Sequence, residues 1–218
     1  MSLQTIVDNA TFITIDYNKL SAQSISRSGR LLTAEIASAV PFRINIGMHN
    51  GLTYSSNRDL VTELGNLDIT EESTIDIGST NTNLSYVTAW RGDSTGIASI
   101  TVNSASGKNI NLNCVAAGSG TFLFKKGDYI QPAGGYRYPY IVTADVAHST
   151  GGSVNVPIHR TFIPQDSYTL AGKNINVGVD VDFRVKMISK PSYSIVPHDR
   201  IEFNSDFELV EVIRKEDT

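Results

Sequence analysis

Two aspartates, Asp180 and Asp182, stand two positions apart in an alternating stretch, so they share one face of a strand. Paired carboxylates can act as general acid and general base where their surroundings drive their pKa values apart inside a cleft. Arg184 and Lys186 continue the same face and turn the pair into a row of mixed charge. We therefore predict that this row is a solvated or intersubunit face without a catalytic role.

The other residues that could bind a metal or attack a substrate are widely separated. Cys114 alternates with Ile110 and Leu112, so it is expected to point inward as a small apolar group. None of the histidines has a zinc-binding spacing: His49, His148, His159 and His198. A nucleophile elbow and a phosphate-binding loop are also missing from the sequence. The sequence predicts no catalytic residue, no metal site and no cofactor.

A tyrosine cluster could in principle stack nucleic-acid bases or sugars. Its members are Tyr129, Tyr136, Tyr138 and Tyr140. Tyr138 and Tyr140 share a strand face that leads into the predicted barrel, where the rings would pack and the hydroxyls would reach water. We rank packing first, a protein interface second and nucleic-acid stacking third.

Strand signals recur about every 8–12 residues from residue 97 onward, as in β-sandwiches and barrels. Glycine-containing turns separate these signals. We predict a compact antiparallel barrel of about five strands over residues 97–160. Its predicted core contains Ile100, Leu112, Phe122, Phe124, Ile130, Val142 and Val156.

The most regular pattern runs from Ile175 to Met187, where apolar and polar residues alternate without interruption. A strand of that length would span ~40 Å, about twice the usual length. We predict that it pairs with the strand from Ile201 to Ile213 as a long C-terminal β-hairpin. Val210 and Val212 depart from the alternation of that second strand, which indicates a β-bulge.

In the first part of the chain, the sequence predicts an extended arm, several strands and one short helix. Strand patterns occur at Thr11 to Ile15, Leu31 to Ile36, Phe42 to Ile46 and Thr74 to Ile77. The helix is expected over residues 56–65, because Leu60, Val61 and Leu64 share one side. Ser55 or Ser56 would cap its start and Gly65 would end it in a left-handed conformation.

The fold class that follows is mainly β, a small antiparallel barrel or sandwich with a long C-terminal hairpin and one short helix. The predicted regions are an N-terminal part, 1–95, and a barrel part, 96–218, with one domain overall as the alternative. A net charge of −4 gives no broad attraction for nucleic-acid phosphates, so we expect no sequence-specific nucleic-acid binding. No apolar stretch approaches the ~20 residues that cross a bilayer, so no membrane role is expected.

The segment from Thr121 to Phe162 reads TFLFKKGDYIQPAGGYRYPYIVTADVAHSTGGSVNVPIHRTF. It resembles a segment of tail and baseplate proteins of long-tailed bacteriophages, most specifically at Lys126 to Val146. The element from Phe207 to Ile213 also fits, and the resemblance covers about residues 27–160 in all. The turn motif within it is Lys126, Gly127, Asp128 and Tyr129. Physically, Gly127 and Asp128 predict a tight turn in which Asp128 bonds local backbone.

The resemblance implies a structural subunit of the virion, made in the host cytoplasm and assembled around or next to the tail tube. Its implied partners are other tail or baseplate proteins and copies of itself, in a ring. The row from Asp180 to Lys186 would then line a DNA-conducting lumen or face a neighbouring subunit. Tube initiator, distal-tail ring, wedge and tube-wrapping protein all remain open.

Two other functions are alternatives. A β-sandwich module of a virion that binds carbohydrate or a receptor would also be β-rich, and it would carry an exposed aromatic platform. A tail-associated hydrolase is the third hypothesis, although the sequence offers it no acid–base constellation.

Overall fold

The computed structural model describes residues 3–17, 21–25, 31–35, 40–48, 52–66, 71–93, 100–114, 122–148 and 152–214. The described strands, numbered along the chain, are β1 (Ala10–Asp16), β2 (Ser21–Ile25), β3 (Leu31–Glu35), β4 (Arg43–Met48), β5 (Leu52–Thr53), β6 (Ser73–Asp76), β7 (Thr101–Ser106), β8 (Asn109–Asn113), β9 (Tyr129–Pro132), β10 (Tyr140–Ile141), β11 (Ser153–Pro157), β12 (Ile175–Val177), β13 (Asp182–Ser189), β14 (Tyr193–Val196), β15 (Arg200–Phe203) and β16 (Phe207–Glu211). The described helices are α1 (Gln4–Asp8), α2 (Arg58–Asn66) and α3 (Ser85–Thr88), and 3-10 turns span Thr82–Leu84 and Gly178–Asp180. The predicted mainly β, antiparallel fold is confirmed.

The largest sheet has five antiparallel strands in the spatial order β1-β4-β16-β13-β6. One face is apolar because alternate residues of β4, β13 and β16 point the same way, and α1 and α2 cover it. This sheet core includes Ile6, Phe42, Ile44, Ile46, Leu60, Leu64, Ile75, Phe183, Val185, Phe207 and Leu209. Its members come from both sides of residue 95, while the division of the chain at that point stays a prediction.

The second core lies within a small barrel. Two three-stranded sheets, β7-β8-β11 and β10-β9-β12, are joined by isolated bridges between Thr101 and Asn174 and between Val142 and Ile158. The bridges link the two sheets into a closed ring of six strands. Six of the seven predicted core residues are fully buried here, and only Phe122 is partly exposed. The barrel differs from the prediction in its sixth strand, β12, which comes from beyond residue 160.

The predicted long strand from Ile175 to Met187 is wrong in one respect, because it is broken in the middle. The 3-10 turn Gly178–Asp180 separates β12, which belongs to the barrel, from β13, which belongs to the five-stranded sheet. Gly178 has a φ of 62°, a left-handed conformation that glycine adopts without steric cost. The alternation survives because inward and outward positions resume in phase after the turn.

The predicted C-terminal hairpin is also more complex in detail. The pairing of β13 with β16 is as expected, but β14 and β15 form a separate hairpin between them, and β15 pairs with β5. No register slip occurs along β16, because Phe207, Leu209 and Glu211 are buried in regular alternation. The irregularity lies instead in the partner strand, between Met187 and Ser189.

The predicted helix is α2, with Leu60, Val61 and Leu64 buried as expected. Two end signals were misassigned. The Ser55 hydroxyl donates to the Asp199 carboxylate, and Gly65 lies inside the helix without a positive φ. The arm residues at 18–20, 26–30 and 36–39 and the tail at 215–218 lie outside the described residues.

Candidate functional site

The turn motif is built around the buried carboxylate of Asp128. Its Oδ2 accepts the Lys125 backbone N–H at 2.7 Å, and its Oδ1 accepts the backbone N–H and Nε–H of Arg91, each at 3.2 Å. Gly127 has a φ of 95°, so the turn requires a left-handed residue at this point. The prediction of a tight turn with Asp128 bonded to local backbone is confirmed. Arg91 was missed, since it lies far away in the sequence.

The two lysines before the turn are tied down by Asp145. Its carboxylate accepts the Lys126 backbone N–H at 2.8 Å and the Lys125 ammonium at 3.2 Å. These hydrogen bonds, the backbone one first, hold the pKa of Asp145 below its usual value. Two carboxylates, those of Asp128 and Asp145, therefore fix the start of the turn.

The tyrosines of the predicted cluster are packing residues. Tyr129, Tyr136, Tyr138 and Tyr140 are all buried. The hydroxyls of Tyr136 and Tyr140 form a 2.8 Å hydrogen bond inside the barrel. The Tyr129 ring instead contacts Phe42 and Phe183 of the sheet core. Burial raises the pKa of Tyr129 to about 12. The first-ranked interpretation, packing of the rings, is confirmed, and these rings do not form an exposed platform. The expectation that the hydroxyls reach water is wrong for Tyr136 and Tyr140, whose hydroxyls are buried and bonded to each other and to the Ile163 backbone.

The charged row is distributed over two elements. Asp180 lies exposed in the 3-10 turn, whereas Asp182, Arg184 and Lys186 follow along one face of β13. Arg184 Nε donates to the Glu72 carboxylate at 2.9 Å, and Arg214 donates to the same carboxylate at 3.0 Å. Burial raises the pKa of Glu72, but the two guanidinium groups outweigh it and lower the value.

Asp182 and Arg184 of this row line a cleft of about 200 Å³ between the five-stranded sheet and the barrel. The lining residues are Thr74, Gln131, Gly135, Tyr136, Arg137, Asp182 and Arg184. The Gln131 amide joins the two walls, because it donates to the Asp182 carbonyl at 3.0 Å and accepts the Asp182 N–H at 2.9 Å. The lining includes the Asp182 carboxylate and the guanidinium groups of Arg137 and Arg184, and such a mixed set can match mixed charges on another protein.

Two further carboxylates lie near Asp182. Asp76 lies directly opposite Asp182 in the β6–β13 pair, and Asp180 is two residues away. Partial burial, with smaller contributions from Asp76 and Asp180, raises the pKa of Asp182. An opposing positive charge would relieve this repulsion.

The most buried polar pair in the described part of the chain was not predicted. Arg160 and Glu211 form a two-pronged ion pair, with nitrogen–oxygen distances of 2.5 and 2.6 Å, and both side chains are at least 98% buried. Arg160 also donates to the carbonyls of Val40 and Pro139, and Glu211 accepts the Phe42 N–H. Burial lowers the pKa of Arg160, but the charge of Glu211 outweighs it and raises the value. The pair joins the barrel to the sheet.

His159 lies beside this ion pair. Its Nδ1 accepts the Ile141 N–H at 3.0 Å, and its ring contacts Tyr17, Phe42 and Tyr140. Burial, with the nearby charges of Arg160 and Lys108, lowers the pKa of His159 to about 3. The ring is therefore neutral at pH 7.

The remaining candidates stay apart. His148 is half-buried, His198 is exposed in the β14–β15 turn, and His49 lies outside the described residues. Cys114 is buried as expected, and burial raises its pKa. Within the described ranges, no group of three or more acidic, histidine or cysteine side chains is arranged to hold a metal ion. None of the described helices is long and apolar enough to cross a membrane.

Comparisons with known proteins leave the chain without an assigned family: no protein-family model matches it, and no curated protein sequence matches it either.

Proposed function

We propose that this chain is a structural, non-enzymatic subunit of the tail or baseplate of a long-tailed bacteriophage, assembled around or next to the tail tube. Its partners are copies of itself in a ring and other tail proteins. It is a component of the virion, and its roles as tube initiator, ring, wedge or tube-wrapping protein stay open.

The observation that carries this proposal is the Lys126–Val146 segment, where the resemblance is most specific. Its polar residues serve the fold: the carboxylate of Asp128 is used by backbone and Arg91, and that of Asp145 by both lysines. Its apolar residues Ile130, Tyr138, Tyr140 and Val142 fill the barrel. A segment whose polar and apolar residues both stabilise the fold suits a rigid structural subunit.

The cleft between sheet and barrel supports the intersubunit form of the proposal. Its carboxylate and guanidinium groups lie on a wall that both modules share. A surface of mixed charge specifies which partner docks and in what orientation. A neighbouring subunit with complementary charges is the partner that this surface fits best.

The experiment that tests the proposal is an amber mutation in this gene within a phage that carries it. Particles grown without the chain should lack tails or carry defective ones in negative-stain micrographs, and wild-type chain supplied from a plasmid should restore them. Immunogold label should decorate the tail of complete particles. Normal, infective tails in the amber lysate would overturn the assignment.

A second candidate function, carbohydrate or receptor binding, is favoured by a polar groove on the outside of the barrel. Amide side chains form a row across three strands, Asn103 to Asn111 at 2.9 Å and Asn111 to Asn155 at 2.7 Å. Ser104, Ser106 and Asn109 extend this groove, which therefore offers neutral groups suited to sugar hydroxyls. Glycan-array binding that is lost in Asn111→Ala would favour this candidate.

A further inference from the structure

The five-stranded sheet ends in two edge strands, β1 and β6, and the two edges differ. An edge strand presents unpaired backbone N–H and C=O groups, which can pair with a strand of another chain. Native proteins usually protect such edges with short strands, charges, proline or a covering element. The contrast between these two edges identifies the edge that can pair with a strand of another chain.

The β6 edge is covered by the chain's own side chains. Gln4 of α1 accepts the Asp76 N–H at 2.8 Å and donates to the Asp76 carbonyl at 3.1 Å, as a neighbouring strand would. The strand is only four residues long and follows Glu71 and Glu72. This edge is therefore protected.

The start of the β1 edge is covered, because the Ala10 carbonyl accepts the Asn81 amide at 3.1 Å, but within the described residues the rest of this edge has none of these protections. It has seven residues, ATFITID, with no lysine or proline and with its one charge at the last position, Asp16. An irregularity occurs only at its start, between Ala10 and Phe12. None of the described strands pairs with its outer side.

The side chains of β1 are suited to a contact. Phe12 lies over Gly47 of β4, where a Cβ would collide with its ring, and it remains 47% exposed. Thr14, on the same face as Phe12, is exposed as well. Such a segment, rich in β-branched and aromatic residues with little charge, has a high tendency to add a further strand.

We propose that the outer edge of β1 pairs in antiparallel fashion with the β1 edge of a second copy of this chain. A pairing centred on Ile13 matches every residue from Ala10 to Asp16 and places Thr14 opposite Phe12 of the other copy. The backbone N–H and C=O groups of the two β1 edges then bond each other across a two-fold axis, as an isologous interface requires.

The position of Asp16 favours the antiparallel alignment over a parallel one. In the antiparallel pair, the two Asp16 carboxylates lie at opposite ends, ~20 Å apart along the strand, so they do not repel each other. A parallel alignment in register would place them side by side. The contact goes beyond the proposed function and does not rest on it, because it follows from the sheet edge alone.

The test is sedimentation velocity of the purified full chain over a concentration series. The wild-type chain should associate through a reversible dimer. Thr14→Lys should weaken that association by at least about tenfold, because lysine on an edge strand disfavours pairing and the lysines of the two copies would lie diagonally across the strand pair. Ser194→Lys places the same charge at an exposed position of β14, outside the five-stranded sheet and the cleft, and should associate as the wild type does.

A second pair of variants reports on the contact even if Thr14→Lys folds poorly. Ile13→Cys should give a disulfide-linked dimer on mild oxidation, whereas Ser194→Cys on the exposed face of β14 should stay monomeric on a non-reducing gel. Wild-type chain that is monomeric at all concentrations, equal association of the two lysine variants, or no cross-link at residue 13 would each overturn the proposal. These results come from the isolated chain, so they are independent of the amber test of the tail function.

Discussion

The ion pair of Arg160 and Glu211 is the clearest case in which single residues decide the stability of this chain. Both groups have lost their water, and the two-pronged geometry with additional backbone hydrogen bonds offsets much of that loss, although the Arg160 Nε has no hydrogen-bond partner among the described residues. Removal of one partner leaves the other charge buried without compensation. The stability of the pair therefore depends on both members together.

We expect Arg160→Met to lower the free energy of unfolding by ~3–5 kcal/mol, as measured by urea denaturation. The double variant Arg160→Met with Glu211→Leu should regain much of the loss, because no lone charge remains. Arg43→Ala is the matched control, since its pair with Glu208 is largely exposed and its loss should stay below ~1 kcal/mol. Equal effects of Arg160→Met and Arg43→Ala would contradict the role given to the buried pair.

His159 should make the fold sensitive to acid. Its pKa in the folded chain, about 3, lies below its ordinary value of 6.5, so the unfolded chain binds more protons between these values. The stability that the neutral ring contributes is complete above pH 6.5 and is lost as the pH falls toward 3. His159→Asn keeps an acceptor for the Ile141 N–H and cannot titrate. Denaturation midpoints measured from pH 7 to 4 should therefore fall less steeply in this variant; the same slope as in the wild type would reject the assignment.

The sequence contained a signal for Glu211, one of the two residues of the buried ion pair. Phe207, Leu209 and Glu211 alternate along β16, so a period of two places Glu211 on the buried face. The partner could not be found in the same way, because Arg160 follows β11 in a different module and meets Glu211 only in the folded chain. The contact of Arg91 with Asp128 could not be predicted for the same reason, as no local period relates residues from separate elements.

At the scale of elements, the alternation that predicted β4 and the barrel core correctly also concealed the break at Gly178. Burial alternates on both sides of the 3-10 turn, since Ile175, Val181, Phe183 and Val185 are all buried. A periodic pattern reports which side chains face inward, and it does not report which sheet supplies the neighbours. Gly178 was the one residue in the stretch whose type indicated a turn.

We expect Gly178→Ala to destabilise the chain by ~1–2 kcal/mol, because a left-handed φ strains any residue with a Cβ. The new Cβ would itself make only ordinary van der Waals contact, 3.4 Å from the Trp90 backbone nitrogen, so the cost is conformational. Gly65→Ala is the matched control: it lies inside α2 with open space around it, so the change should stabilise by roughly 0.5–1 kcal/mol. Thermal denaturation of both variants measures the contrast, and a neutral Gly178→Ala would mean that the turn does not need glycine.

At the scale of the whole molecule, two cores are joined by a few polar contacts. The Arg160–Glu211 pair and the Gln131 amide both connect barrel to sheet, and Tyr129 carries an apolar contact across the same boundary. The cleft with Asp182 and Arg184 lies along this junction. A partner that docks there would contact both modules at once, so it could sense and fix their relative position.

Charge reversal at the cleft separates the two roles left open for this face. Asp180→Lys with Asp182→Lys should fold normally, because a lysine opposite Asp76 removes the carboxylate crowding that raises the pKa of Asp182. We expect tail assembly to fail in a phage that carries this double variant. The cleft already contains arginines, which would attract DNA in a lumen, whereas a mixed-charge surface suits a neighbouring subunit. Micrographs of the particles measure assembly, and phage titre with DNA release measures passage. Intact tails with impaired DNA release would favour the lumen instead, and normal particles would show that the row is solvated and has no part in assembly.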